Sequence, residues 1–292
     1  MNEDPLGGFV LPLSMFILMF GMGLALTPGD FRRIARVPGP VITGTLIQLI
    51  VMPVAGFALA LAFELPAMLA VGLVIVAACP GGMASNVMVH FGRANTALSI
   101  TLTATATTAT LLTMPLWIRA ILSVVGGEAS EVEVPLLSTA VELGGLTVLP
   151  VALGMALRHT RPSAAAWEAR LTRIGLLGVV GTLGFAGMQR PDPPIAEFWL
   201  SFPPAMLLIA VSLVLGFGVP RLLRQSIEDA VTLGVEICLK NGLLGLVVVS
   251  GTFHALEPNI PVLIYTTFMA PLAMVLVIYN RIRVRGARAA QI

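Results

Sequence analysis

Charge is what this 292-residue chain has least of: 11 % of its residues are Asp, Glu, Lys or Arg, where a soluble domain carries about a quarter. That scarcity excludes an ordinary soluble enzyme and a disordered chain, both of which need polar surface to stay in water. A net charge of +2 offers little to a polyanion, so nucleic acid is not an expected partner. Two cysteines cannot build a disulfide scaffold. His90, His159 and His254 fall near span ends or in loops and form no metal-ligand cluster. There is no His-Glu-x-x-His zinc motif, phosphate loop or nucleophile elbow, so nothing argues for hydrolysis. Met1 to Gly8 carries Glu3 and Asp4 without a basic residue, lacks the pattern of a cleavable signal, and makes the first apolar stretch a retained span.

What is abundant is apolar surface. Hydrophobic residues make up 57 % of the chain and its mean hydropathy is +0.95, which makes lipid the solvent for most of it. Nine runs are long enough to cross about 30 Å of hydrocarbon at about 1.5 Å per residue. They lie near 8–27, 39–62, 66–91, 95–122, 134–157, 171–188, 197–219, 227–252 and 261–280, with no gap wide enough for a soluble domain. Basic residues in short loops stay on the cytoplasmic side. Alternate loops hold Arg32, Arg33 and Arg36; Arg93; Arg158, Arg161, Arg170 and Arg173; Arg221 and Arg224; and Arg281, Arg283, Arg285 and Arg288. The opposite loops hold Glu64, Glu128, Glu131, Glu133, Asp192, Glu197 and Glu257, with Arg119 and Arg190 as their basic residues. The pattern predicts a multi-pass protein of the inner (plasma) membrane with its N-terminus outside and its C-terminus in the cytoplasm.

Two spans are interrupted. The third breaks at Cys79-Pro80-Gly81-Gly82, where proline removes an amide donor and two glycines free the backbone; the eighth breaks around Glu236 to Gly242. Unwound backbone in a bilayer persists where protein or a water-filled cavity satisfies it. Spans two to four and seven to nine run in opposite senses, and each triplet has a broken middle helix, the pattern of an inverted-repeat secondary transporter. Independent kinks in two packed helices are the alternative.

Polar residues gather at these breaks. Ser85 and Asn86 follow the first, and Thr96, Ser99, Thr103, Thr107 and Thr110 recur at steps of three or four, placing hydroxyls on one face of the fourth span. Oxygens of this kind suit a hard cation such as Na⁺, although membrane Ser and Thr also bond back to their own helix. Glu236 is an intramembrane carboxylate that demands a positive partner, and four residues on stands Lys240, the single lysine of the chain. An ion pair across one turn is the structural alternative. Glu228 and Asp229 read as complements to a helix N-terminus. Glu142 reads as facing other helices or the outer surface, Gln48 as helix glue or an ion ligand, and Cys79 and Cys238 as inert small residues.

The elements Cys79-Pro80-Gly81-Gly82-x-x-Ser85-Asn86, Ala97-Leu98-Ser99-x-x-x-Thr103 and Glu236-x-x-x-x-Asn241 resemble the bile acid:sodium symporter family. So does the opening Phe20-Gly21-Met22-Gly23-Leu24 with Pro28-x-Asp30-Phe31. The likeness runs over nearly the whole chain, which resembles the nine-helix form that begins at the second helix of ten-helix members. It implies an all-α integral membrane fold like that of Na⁺/H⁺ antiporters, with core and panel domains. In that layout residues 1–38 hold the N-terminus and first panel helix, 39–122 and 197–280 the core triplets, 134–188 the other panel helices, and 281–292 a basic cytoplasmic tail.

The resemblance also implies a first Na⁺ site of Ser85, Asn86, Ser99, Thr103 and Glu236. It implies a second near Gln48, Glu236 and the carbonyls around Ile237 and Leu239, with a glutamine where Lys240 stands. Two unit charges about 4 Å apart repel by roughly 4 kcal/mol at an effective dielectric of about 20, so an ammonium and a second Na⁺ exclude each other there. Lys240 is therefore expected to act as a tethered cation replacing the second Na⁺, leaving at most one Na⁺ per cycle. Uptake of a monovalent anion with one Na⁺ moves no net charge, whereas with two it gains about 2.3 kcal/mol per 100 mV.

Half-helices starting near Met83 and Asn241 would point positive ends at an anion, so Met83, Ala84, Ser85, Asn241 and Gly242 are the expected substrate-facing residues. Family members often have Thr where Met83 stands. The expected function is Na⁺-coupled uptake of a small organic anion bearing a carboxylate, by alternating access. The competing readings are proton coupling through Lys240, a cation/proton antiporter using Glu236 and Lys240, and a membrane receptor without transport.

Overall fold

The computed structural model describes residues 5–25, 27, 38–125, 136–188, 194–253 and 255–289. Its helices are α1 (Pro5–Ala25), α2 (Pro38–Ala62), α3 (Ala67–Ala78), α4 (Met83–Phe91), α5 (Thr96–Val125) and α6 (Leu136–Thr160). They continue with α7 (Glu168–Met188), α8 (Ile195–Leu222), α9 (Ile227–Cys238), α10 (Gly242–Phe253) and α11 (Asn259–Ala289). Each of the nine apolar runs is helical over most of its described residues, and the third and eighth are each split in two. The elements expected around Pro28-x-Asp30-Phe31, the loop residues Arg32, Arg33, Arg36, Glu128, Glu131, Glu133, Arg190 and Asp192, and His254 lie outside the described residues.

Among the described residues α2, α8 and α11 over Asn259–Gly286 are long and apolar enough to cross a bilayer, and α5 makes a fourth although it bends by 56° between Thr110 and Leu112. Pro115 accounts for the bend, because its ring clashes with the carbonyl four residues back and it has no amide hydrogen to donate. Within α2 the residues Ile47–Val51 form a π-helical segment that carries Gln48.

The helices sort by packing. Along α1 lie α6 and α7, with Gly23 against the Val151 backbone so closely that a Cβ there would overlap it. Small residues permit such approach where lipid supplies no hydrophobic drive between helices. Elsewhere α3 and α9 are innermost: every residue from Leu69 to Ala78 and from Ala230 to Cys238 is buried. Around them stand α2, α5, α8 and α11.

The two innermost helices are alike in detail. Both have 12 residues, and both follow a turn that passes through left-handed backbone, φ 49° at Glu64 and 58° at Arg224. Ser226 caps α9, accepting from the Asp229 amide at 3.0 Å while its hydroxyl donates to Asp229 Oδ2 at 2.7 Å. Asn95 Nδ2 donates to Asp229 Oδ1 at 2.8 Å, tying the entry of α5 to that of α9. Asp229 thus has the structural role its position indicates.

Candidate functional site

The site begins where two helices stop. Past Ala78 the backbone of Cys79 turns extended (φ −60°, ψ 144°), and Pro80 has no amide hydrogen with which to resume the helix. Past Cys238, Leu239 leaves helical geometry at φ −82°, ψ 78°. The breaks cross antiparallel at Gly81 and Lys240. Gly82 N donates to Leu239 O at 2.8 Å and Asn241 N donates to Pro80 O at 2.7 Å. Polar groups that unwinding would strand in the bilayer are thereby paired with each other. Buried Tyr265 adds a hydroxyl donated to Cys238 O at 3.0 Å, a support that nothing in the sequence pattern marks.

Glu236, in the last turn of α9, is fully buried. Its Oε2 accepts from Ser85 Oγ of α4 at 2.5 Å and from Ser99 Oγ of α5 at 2.6 Å, while Oε1 accepts from Thr103 Oγ1 at 2.5 Å. The same Ser85 hydroxyl lies 2.6 Å from Gly82 O, and that of Thr103 3.1 Å from Ser99 O. The Ser85 and Thr103 hydroxyls each have one proton for two acceptors. The cluster is thus richer in oxygen lone pairs than in protons, which is the donor set of a hard cation. Gly81 is required beside it, because a Cβ there would overlap the Glu236 carboxylate. Asn86 is half-buried and its amide oxygen is buried without a hydrogen-bond partner, but no hydrogen bond brings it onto the carboxylate.

Lys240 is buried, and its Nζ has no hydrogen-bond partner. The ion pair with Glu236 across one turn is not formed: among the described residues no carboxylate oxygen stands within pairing distance of Lys240 Nζ. The i, i+4 spacing brings side chains together only on a continuous helix, and this one ends between the two residues. Titratable groups facing Lys240 are the thiols of Cys79 and Cys238 and the Glu236 carboxylate. Both cysteines are free and buried.

Gln48 is fully buried, and neither its amide nitrogen nor its oxygen has a partner. Asn241 is buried, and its Oδ1 accepts from Leu244 N at 3.1 Å, so it caps α10. Gly242 packs on Thr266, where a Cβ would overlap the side chain, and Ala84 is exposed. The side chains of Met83 and Glu142 lie outside what is described. His90 and His159 are exposed and join no metal-binding group among the described residues.

These features define a helical, multi-pass membrane protein with a buried carboxylate where two broken helices cross. Residues 12–188 match the profile of the Sodium Bile acid symporter family. The chain belongs to that family, and it is a transporter rather than an enzyme. It is 29 % identical over 249 residues to "Uncharacterized sodium-dependent transporter YocS" of Bacillus subtilis, covering 85 % of this chain and 75 % of that protein. To the Oryza sativa protein named "Probable sodium/metabolite cotransporter BASS1, chloroplastic" it is 29 % identical over 250 residues, 84 % of this chain and 60 % of the relative's length. To the human ileal sodium/bile acid cotransporter it is 27 % identical over 275 residues, 91 % and 77 %.

Proposed function

We propose that the chain imports a small organic anion together with Na⁺ by alternating access. In this reading nine spans cross the membrane with the N-terminus outside. The 39–122 and 197–280 triplets are inverted repeats forming a core, and α1, α6 and α7 form a panel against which the core moves. The matched lengths and entry turns of α3 and α9, and the separate packing of α1 with α6 and α7, support that division. Ser85, Ser99, Thr103 and Glu236, with Asn86, hold one Na⁺. Met83 to Ser85 and Asn241 with Gly242 face the substrate, whose carboxylate meets the positive ends of α4 and α10. One observation carries the reading: a fully buried carboxylate held by three hydroxyls of two other helices, with no ammonium on it.

Lys240 stands in the position of a second cation, so each cycle moves one Na⁺ and one monovalent anion without net charge. A partner-free amine favours one alternative, in which Lys240 releases a proton each cycle and couples transport to H⁺. Thermal denaturation of the purified protein across Na⁺ concentrations and a panel of small organic acids tests the main reading, since a ligand selective for the folded state raises stability by mass action. Na⁺ is expected to raise the melting temperature and Glu236→Gln to abolish the rise. Absence of any Na⁺ effect removes the sodium reading. Uptake in vesicles with Na⁺ and pH gradients imposed separately distinguishes the two couplings.

A further inference from the structure

The arginines near the helix ends behave in two ways. Several are spent on the protein itself: Arg158 Nη1 donates to Leu24 O at 3.1 Å, Arg221 Nη1 donates to Gln225 O at 2.7 Å, and the Arg281 guanidinium stands 4.1 Å over the Phe91 ring. Arg170 and Arg173, in the first two turns of α7, are exposed, and their side chains make no hydrogen bond, ion pair or ring contact with the described residues.

Contacts fix the face on which they stand. A short 3₁₀ helix, Pro162–Trp167, runs directly into α7. Toward α1, Leu171 and Thr172 lie against Gly21, and a Cβ on Gly175 or Gly178 would overlap Leu18 or Ser14. On the face turned away, Trp167, Arg170, Ile174 and Leu177 recur at steps of three and four, with Arg173 beside them and Phe185 two turns further along. All six are exposed. The face therefore carries an indole and two guanidiniums at one end and bare hydrocarbon along the rest.

The apolar part of α7 is also short. From Ile174 to Met188, between Arg173 and Gln189, it has 15 residues, about 22 Å at about 1.5 Å per residue against about 30 Å of hydrocarbon. A run this short draws its flanking side chains toward the membrane, which sets Arg170 and Arg173 among the headgroups. A guanidinium there needs an anion, and a phosphate accepts two parallel N–H bonds from its planar fork. A zwitterionic lipid brings its own cation to the phosphate, so two unopposed guanidiniums select an anionic one.

We propose that this face of α7 seats one anionic phospholipid: Arg170 and Arg173 bind its phosphate, Trp167 lies at the headgroup level, and Ile174, Leu177 and Phe185 carry an acyl chain. The depth rests on α7 crossing the membrane, as read above, whereas the charge and exposure of the face do not. A lipid held there pins α7, and with it α1, to one leaflet.

Thermal melting in neutral-detergent micelles reads the site, because a ligand of the folded protein raises its stability. Added phosphatidylglycerol is expected to raise the melting temperature where phosphatidylcholine does not. Arg170→Gln combined with Arg173→Gln is expected to raise the half-effective phosphatidylglycerol concentration at least tenfold, and Arg119→Gln, at an exposed position on α5, to leave it within twofold. An equal response to the two lipids, equal weakening by Arg119→Gln, or the same stabilisation from inorganic phosphate overturns the proposal. Fluorescence tests the place with both arginines intact. In vesicles, brominated phosphatidylglycerol is expected to quench the tryptophans more than brominated phosphatidylcholine does, and Trp167→Phe to remove the excess. An excess that survives Trp167→Phe, or equal quenching by both lipids, overturns the seat. Trp167 fluorescence quenched by neither lipid overturns its depth, and with it the crossing of α7.

Discussion

The two breaks do different work. The first, Cys79 to Gly82, carries no charge and contributes room, since Gly81 has no side chain where the carboxylate lies. The second is flanked by Glu236 and contains Lys240, so the charge of the crossing comes entirely from one half of the chain. Hydroxyls then come from the first half, through Ser85, Ser99 and Thr103. Neither half holds a site alone, and the charged half depends on the uncharged one for its hydrogen bonds.

The sharpest way to break this division is Glu236→Gln, which keeps volume and removes charge. Na⁺-dependent uptake is expected to fall at least about 100-fold, the order of a lost charged interaction of a few kcal/mol, and uptake at the original level would falsify the assignment. Gly81→Ala tests the room side: overpacking at a filled site costs about 1–3 kcal/mol, so thermal melting is expected to drop. Gly82→Ala, whose Cβ would stand 3.3 Å from Lys240 O, is expected to be milder. An equal drop in both would erase the special place of Gly81.

Lys240→Gln removes the built-in cation and is expected to convert electroneutral uptake into uptake accompanied by Na⁺-dependent inward current. That gains about 2.3 kcal/mol per 100 mV for each added charge; a silent electrode in this variant argues against the tethered-cation role. Ser99→Ala takes one hydroxyl from the carboxylate and is expected to weaken apparent Na⁺ affinity by about tenfold, close to 1.4 kcal/mol, read from the Na⁺ titration of melting temperature. Smallest is Arg283→Ala. Its contact to Glu228 at 3.7 Å is partly exposed, and its loss is expected to change stability by under about 0.5 kcal/mol.

Much of this architecture was legible because lipid imposes simple rules. A helix must be apolar for its length, so the nine apolar runs could be placed from composition, the split in the third from Pro80, Gly81 and Gly82, and that in the eighth from the polar stretch Glu236 to Gly242. Helical spacing put Ser99 and Thr103 on one face, but it was the family resemblance that joined them and Ser85 to Glu236, whose burial by itself called for a positive partner. Asn86 joined them in the sequence but makes no bond to the carboxylate.

What could not be read depends on where a helix stops. The spacing of Glu236 and Lys240 indicates a pair if α9 continues, yet Leu239 departs from helical geometry, and the sequence does not fix that residue. The support of Tyr265 for the Cys238 carbonyl joins positions 27 apart, and the π-helical turn at Gln48 has no composition of its own.

The paired backbone groups of Gly82 with Leu239 and Asn241 with Pro80 have a mechanical consequence. Two rungs clamp the unwound stretches to one another, so neither can swing without carrying its partner. The crossing is an axle and not a hinge, and in the proposed transport cycle the compliant seam lies between the core and the panel of α1, α6 and α7.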